Sequence, residues 1–122
     1  MKMPLLVPIL TCSALVGCQG PAPVKQDLLV GEYVYKSEDP DDKPTDHELD
    51  HLTLRRDGRY LLVQGGSTKP RTISEGAWTT SDGGDQGTHL LLDHSGYPVR
   101  IDGNETKLLI DTDTGIWFTK VK

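Results

Sequence analysis

From residue 28 onward the chain is written in short apolar runs separated by turn residues. The runs are LLVGEYVYK (28–36), HLTLRR (51–56), RYLLVQ (59–64), TISEGAWTT (72–80), HLLLD (89–93), YPVRID (97–102), TKLLID (106–111) and IWFTKV (116–121). Between them stand Asp57-Gly58, Gly65-Gly66, Asp82-Gly83-Gly84, Ser95-Gly96, Gly103-Asn104 and Thr114-Gly115. Runs of this length, rich in β-branched and aromatic residues and closed by glycine turns, read as strands. No run keeps a 3.6-residue period long enough for more than a brief helical turn. The pattern therefore predicts an all-β fold, a small antiparallel meander of about eight short strands closed into a barrel or packed as a sandwich.

Alternation within 51–64 leaves two hairpin registers open. With Asp57-Gly58 as a two-residue turn, Arg56 faces Arg59, and Leu52 and Leu54 share a face with Leu61 and Val63. With Arg56-Asp57-Gly58 as a three-residue loop and Gly58 left-handed, Leu52 and Leu54 join Tyr60 and Leu62 instead. The second register separates the arginines and sets an aromatic ring on the core face, and is preferred.

Two segments fall outside the alternation. SEDPDDKPTD (37–46) is acidic, carries prolines and reads as a solvated loop. The first twenty residues, MKMPLLVPILTCSALVGCQG, place a basic Lys2 before an apolar stretch from Leu5 to Val16. That stretch is shorter than the ~20 residues a membrane-spanning helix needs, and suits a secretory signal. Its end, Leu15-Val16-Gly17-Cys18, resembles the lipobox of bacterial lipoproteins. The resemblance implies a signal peptide over 1–17, cleavage before Cys18, diacylation (palmitate-type chains) of that cysteine and acylation of the new amino terminus. In Gram-negative lipoproteins an aspartate after the cysteine favours the inner membrane. Gln19 stands there, so the resemblance implies an outer-membrane anchor facing the periplasm or the surface. Residues 18–27, with two prolines, then read as lipidated cysteine and tether, and 28–122 as one β domain.

This organisation changes what the composition means. Without residues 1–17, 105 of the 122 residues remain, enough for one domain with a modest core. Cys12 leaves with the signal and Cys18 is taken by lipid, so no thiol is left for a disulfide or a nucleophile. Loss of Lys2 leaves 12 basic against 18 acidic side chains, a net of −6. An acidic domain argues against nucleic acid and against electrostatic docking on anionic lipid, so membrane attachment falls to the acyl chains.

Two spellings imitate catalytic motifs. His47-Glu48-Leu49-Asp50-His51 is a literal H-E-x-x-H, which in zinc proteases sets two imidazoles one turn apart on a helix. Here a proline-bearing loop precedes it and an alternating strand follows. On extended backbone the two rings would stand ~13 Å apart, so His47 and His51 are only weak metal candidates. Asp113-Thr114-Gly115 spells the aspartic-protease triplet, but that chemistry needs two aspartates from two lobes or chains, and seven residues follow Gly115. A turn accounts for the same letters, and the half calcium loop spelled by DTDTG lacks its closing glutamate. His89 and His94 have no companion nucleophile. No motif asks for a cofactor.

The order Gly31-x-Tyr33, Leu52-x-Leu54-x-x-Asp57-Gly58-x-Tyr60, Gly76-x-Trp78 and paired strands near the end looks like the lipocalin-like and copper-resistance-lipoprotein-like β domains of bacterial envelope lipoproteins. The copper-resistance family carries a CxxC pair that this sequence lacks. The resemblance implies a non-enzymatic binding module, acting on a protein partner or a small apolar ligand, with Trp78, Trp117 and Tyr97 as candidate contact residues. So small a domain leaves little room for a lipocalin-sized cavity, which favours the protein partner. The rival expectation is a metal-dependent hydrolase working through His47, Glu48 and His51.

Overall fold

In the computed structural model, residues 24–82 and 87–122 are described. Residues 1–23, which hold the expected signal peptide, Cys18 and Gln19, and residues 83–86 lie outside them. Eight antiparallel strands form a closed meander barrel, each pairing with the next and β8 closing on β1. The strands are β1 (Gly31–Ser37), β2 (His51–Leu54), β3 (Arg59–Gly66), β4 (Lys69–Asp82), β5 (Thr88–Leu92), β6 (Ser95–Asp102), β7 (Glu105–Asp111) and β8 (Ile116–Lys120). Barrel, not sandwich, is the architecture, and every expected strand is present.

Alternate residues point inward, as the two-residue side-chain period requires. Tyr33, Leu52, Leu54, Tyr60, Trp78, Leu90, Leu92, Leu108 and Phe118 fill the centre with Leu29, and all are buried. Leu52 pairs with Leu62 and Leu54 with Tyr60 across the first hairpin. That is the three-residue-loop register, and Gly58 sits at φ 84°, which a side chain would resist. Trp78 belongs to this core, with its indole N–H donating to the Arg55 carbonyl at 2.8 Å.

Ser95-Gly96, expected as a turn, instead opens β6 after a reversal at Asp93-His94, and three elements depart further from the sequence expectation. Leu28 and Leu29, expected in the first strand, belong instead to a one-turn helix, α1 (Gln26–Leu29). Nothing in QDLL makes so short a helix stable alone. It holds because Leu29 is fully buried in one end of the barrel and its carbonyl accepts the Tyr33 hydroxyl at 2.6 Å. Second, β3 runs through Gly65-Gly66, the expected turn, and the chain reverses at Ser67-Thr68. Gly65 forms an irregularity at φ 132°, where a Cβ would meet the Pro70 carbonyl at 2.7 Å. Third, β4 is longer than expected because it serves two neighbours in turn. Lys69 to Ala77 pair with β3, and Trp78 to Asp82 pair with β5.

Candidate functional site

The barrel ends are dissimilar, and the difference locates the site. At the end carrying α1, main-chain and side-chain contacts close the opening: Val24 N–H donates to the Thr88 hydroxyl, and Lys120 Nζ to the Leu28 carbonyl. The opposite rim carries the long β1–β2 connection, residues 38–50, with a 3₁₀ turn at Pro44–Asp46.

That connection folds back against the barrel through one cluster. His47 stacks flat on Tyr35, ring centres 4.0 Å apart and planes within 12°. Its Nδ1 lies 2.8 Å from an Asp50 carboxylate oxygen and its Nε2 2.9 Å from one of Asp42. The Tyr35 hydroxyl donates to the other Asp42 oxygen at 2.7 Å. Asp50 is buried and accepts the Gly65 N–H at 2.8 Å, so the loop is tied to the β3 irregularity. Tyr35 in turn meets Phe118 edge-on at 6.1 Å, which joins the cluster to the core. Burial, and then the Asp42 hydrogen bond with the charges of Asp42 and Asp50, push the Tyr35 phenol well above its ordinary value. The same Tyr35 hydrogen bond holds the Asp42 carboxyl below its ordinary value.

The H-E-x-x-H letters are thereby explained without a metal, and on different backbone from that expected. Residues 47–50 are neither helical nor extended: the Asp50 N–H donates back to the His47 carbonyl at 3.0 Å, making a turn, and strand begins only at His51. Pro44 starts the preceding 3₁₀ turn and Asp50 reaches across to Gly65, which together bend the chain. His51 lies on the outer wall of β2, 3.3 Å from Glu32. Glu48 accepts both the N–H and the hydroxyl of Ser67 at 2.7 Å, which holds its carboxyl below the ordinary value. The three residues thus serve three separate contacts, and among the described residues no group of three His, Cys, Asp or Glu could hold a metal ion. Asp113-Thr114-Gly115 is likewise a turn, with the Asp113 and Thr114 N–H groups donating to the Asp111 carboxylate and Gly115 at φ 78°.

Beside the cluster lies a cleft of about 250 Å³, lined by Tyr35, Lys36, Ser37, Asp39, Asp42, Pro44 and His47. Both His47 nitrogens face carboxylates, so the ring offers no free base to the Ser37 hydroxyl. What the cleft presents is shape, an aromatic wall and an acidic lip formed by the 38–46 segment. Tyr97 lies elsewhere, in a small apolar hollow of about 70 Å³ inside the barrel with Leu62, Leu92, Leu108 and Phe118 among its neighbours. Trp117 is on the outer wall, half-buried under the Lys107 ammonium at 4.8 Å, and its indole N–H is buried without an acceptor among the described residues. The structure brings together none of the pairs among Trp78, Tyr97 and Trp117 at one surface.

Tyr35, Asp42 and Asp50 are the residues that sequence reasoning passed over. Asp50 follows His47 by three, a signal only once a turn is known to lie between them. Comparison with known proteins finds no match to a family model, to a curated protein or to a solved structure.

Proposed function

We propose that this chain is a lipid-anchored, non-enzymatic envelope module that binds a protein partner through the rim bearing residues 36–48. The observation that carries this reading is where the free space lies. Ligand cavities for small molecules run to ~300–1,000 Å³, whereas the barrel interior retains a hollow of about 70 Å³. A larger recess of about 250 Å³ is on the rim, open to solvent, beside a loop whose position is fixed by hydrogen bonds before anything binds. Another of about 200 Å³ lies by Glu38 and Trp117. Preorganised loops on a rigid scaffold are the common form of a protein-recognition surface. The chain enters the barrel at the α1 end, so an anchor at Cys18 would leave the rim pointing away from the bilayer. Within 36–48, Glu38, Asp39, Asp41, Asp42, Asp46 and Glu48 outnumber Lys36 and Lys43, which suits a partner with a basic face.

Two experiments test it. Cys18→Ser should move the protein from the membrane to the soluble fraction, and persistence in carbonate-washed membranes would remove the lipid-anchor reading. A photo-crosslinking residue at Lys36, compared with one at Asp57 on the opposite end, should yield a discrete protein adduct from the rim alone. Glu38→Lys with Asp41→Lys should abolish that adduct. Equal labelling from both ends, or indifference to the charge reversal, would refute rim recognition.

A further inference from the structure

The upper half of β4 is a sheet edge inside a closed barrel, and its sequence is complementary to itself. The N–H of Trp78 donates to the Gly58 carbonyl, which sets the parity of the strand: even-numbered residues turn their main-chain groups toward β3, odd-numbered ones toward the other side. On that other side Trp78 to Asp82 meet β5, and Asp93 engages Ala77 through its own N–H at 3.1 Å and its carboxylate at 3.4 Å. No described strand pairs there with Arg71, Ile73 or Glu75. Their side chains are exposed, Ile73 by 51%. An open row of donors and acceptors beside an apolar side chain is a template for another strand.

We infer that this edge pairs with the same edge of a second copy, antiparallel and centred on Ile73. In that register Ile73 stands opposite Ile73, Arg71 opposite the second copy's Glu75, and Thr72 opposite its Ser74. All three odd-numbered positions then face odd-numbered positions, so each pair exchanges both main-chain bonds, about six in total. The side chains agree with the backbone. Arg71, Ile73 and Glu75 share the outer face, so the twofold axis creates two opposite-charge pairs flanking an apolar centre. Val63 lies opposite Ile73 on β3, and the joined sheets carry a Val63–Ile73–Ile73–Val63 row across four strands. The turn at Asp93 ends the open stretch just beyond Glu75, which fixes the length of the pairing. A shift of one residue would set outward main-chain groups against inward ones, and a shift of two would place Ile73 opposite Arg71 or Glu75.

Sedimentation of the full-length chain in detergent over a concentration series tests the arrangement. The wild type should reach dimer mass. Arg71→Glu and Glu75→Arg should each weaken the dimer by about tenfold or more, since each turns both ion pairs into repulsions. The combined Arg71→Glu/Glu75→Arg chain should dimerise like the wild type. Neither Arg71 nor Glu75 makes a side-chain hydrogen bond or ion pair among the described residues, so at concentrations where all are monomeric the variants should melt with the wild type. A monomer at every concentration, single variants that dimerise normally, or a double variant that fails to recover would each overturn the pairing. Rim recognition is a separate matter: the single charge reversals should leave the Lys36 adduct unchanged, so the two proposals fail independently.

Discussion

Tyr33 and Tyr35 lie two residues apart on one strand, point into one barrel, and fasten its two ends by different chemistry. Tyr33 donates to the carbonyl of Leu29, and that leucine fills the opening with apolar carbon. Tyr35 donates to a carboxylate, and the rim is closed by a chain of polar contacts running from Asp42 through His47 and Asp50 to the Gly65 amide. Burial raises both phenols above the ordinary value of 10.0. Both ends are therefore expected to weaken in alkali, because a raised phenol contributes stability below the unfolded value and loses it as pH rises. At the rim ionised carboxylates form the centre of the closure, whereas at the plug they enter at its edge, through Asp27 with Arg56 and Asp82 with Thr88. The apolar contact of Leu29 is indifferent to acid, and the polar latch is not.

The comparison breaks most sharply at the plug. Leu29→Ala removes the side chain that closes one end and should destabilise by about 2–5 kcal/mol, a large-to-small core loss, read as a shift in urea midpoint that is equal at pH 7 and pH 4. A loss under about 1 kcal/mol would mean the end refills from elsewhere. At the rim, Asp50→Ala deprives the buried Gly65 N–H and one His47 nitrogen of their acceptor and should cost about 1–3 kcal/mol, while leaving α1 intact. The acid limb separates the ends further. Asp42 is held below 3.8 by Tyr35, and Glu48 below 4.5 by Ser67. Each binds its proton less tightly folded than unfolded, so each contributes stability above its unfolded value and loses it as pH falls through the lower folded value. Asp42→Asn should flatten the fall in stability as pH drops below about 4, and Leu29→Ala should leave that slope unchanged. The smallest effect is Tyr33→Phe, the loss of one hydrogen bond, at about 1 kcal/mol.

Most strands were legible because they are short apolar runs, several in two-residue alternation, and β2, β3, β6 and β7 lead into a glycine-bearing turn or end on glycine. The first hairpin could even be placed in register, since only one arrangement puts Tyr60 with Leu54 and separates Arg56 from Arg59. What escaped reading depends on tertiary contact. Leu28-Leu29 looks like the start of a strand, and only the open barrel end makes a helical plug of it. Gly65-Gly66 looks like a turn, and only the approach of Pro70 and the Asp50 side chain makes it a strand irregularity. The acidic loop 37–46 reads as solvated, whereas Asp42 within it is drawn in by Tyr35 and His47, and His47 and Asp50 beyond it meet only through the turn between them. The length of β4 was illegible for the same reason: no local pattern shows that a strand changes neighbour halfway.

The account rests on the 47–50 turn as a polar latch across the rim, and amide hydrogen exchange at Gly65 reads that latch directly. The Gly65 N–H should be strongly protected at neutral pH and should lose that protection in Asp50→Ala, with the amides of Leu29 to Tyr33 unchanged. Fast exchange at Gly65 in the wild type, or protection that survives Asp50→Ala, would contradict it.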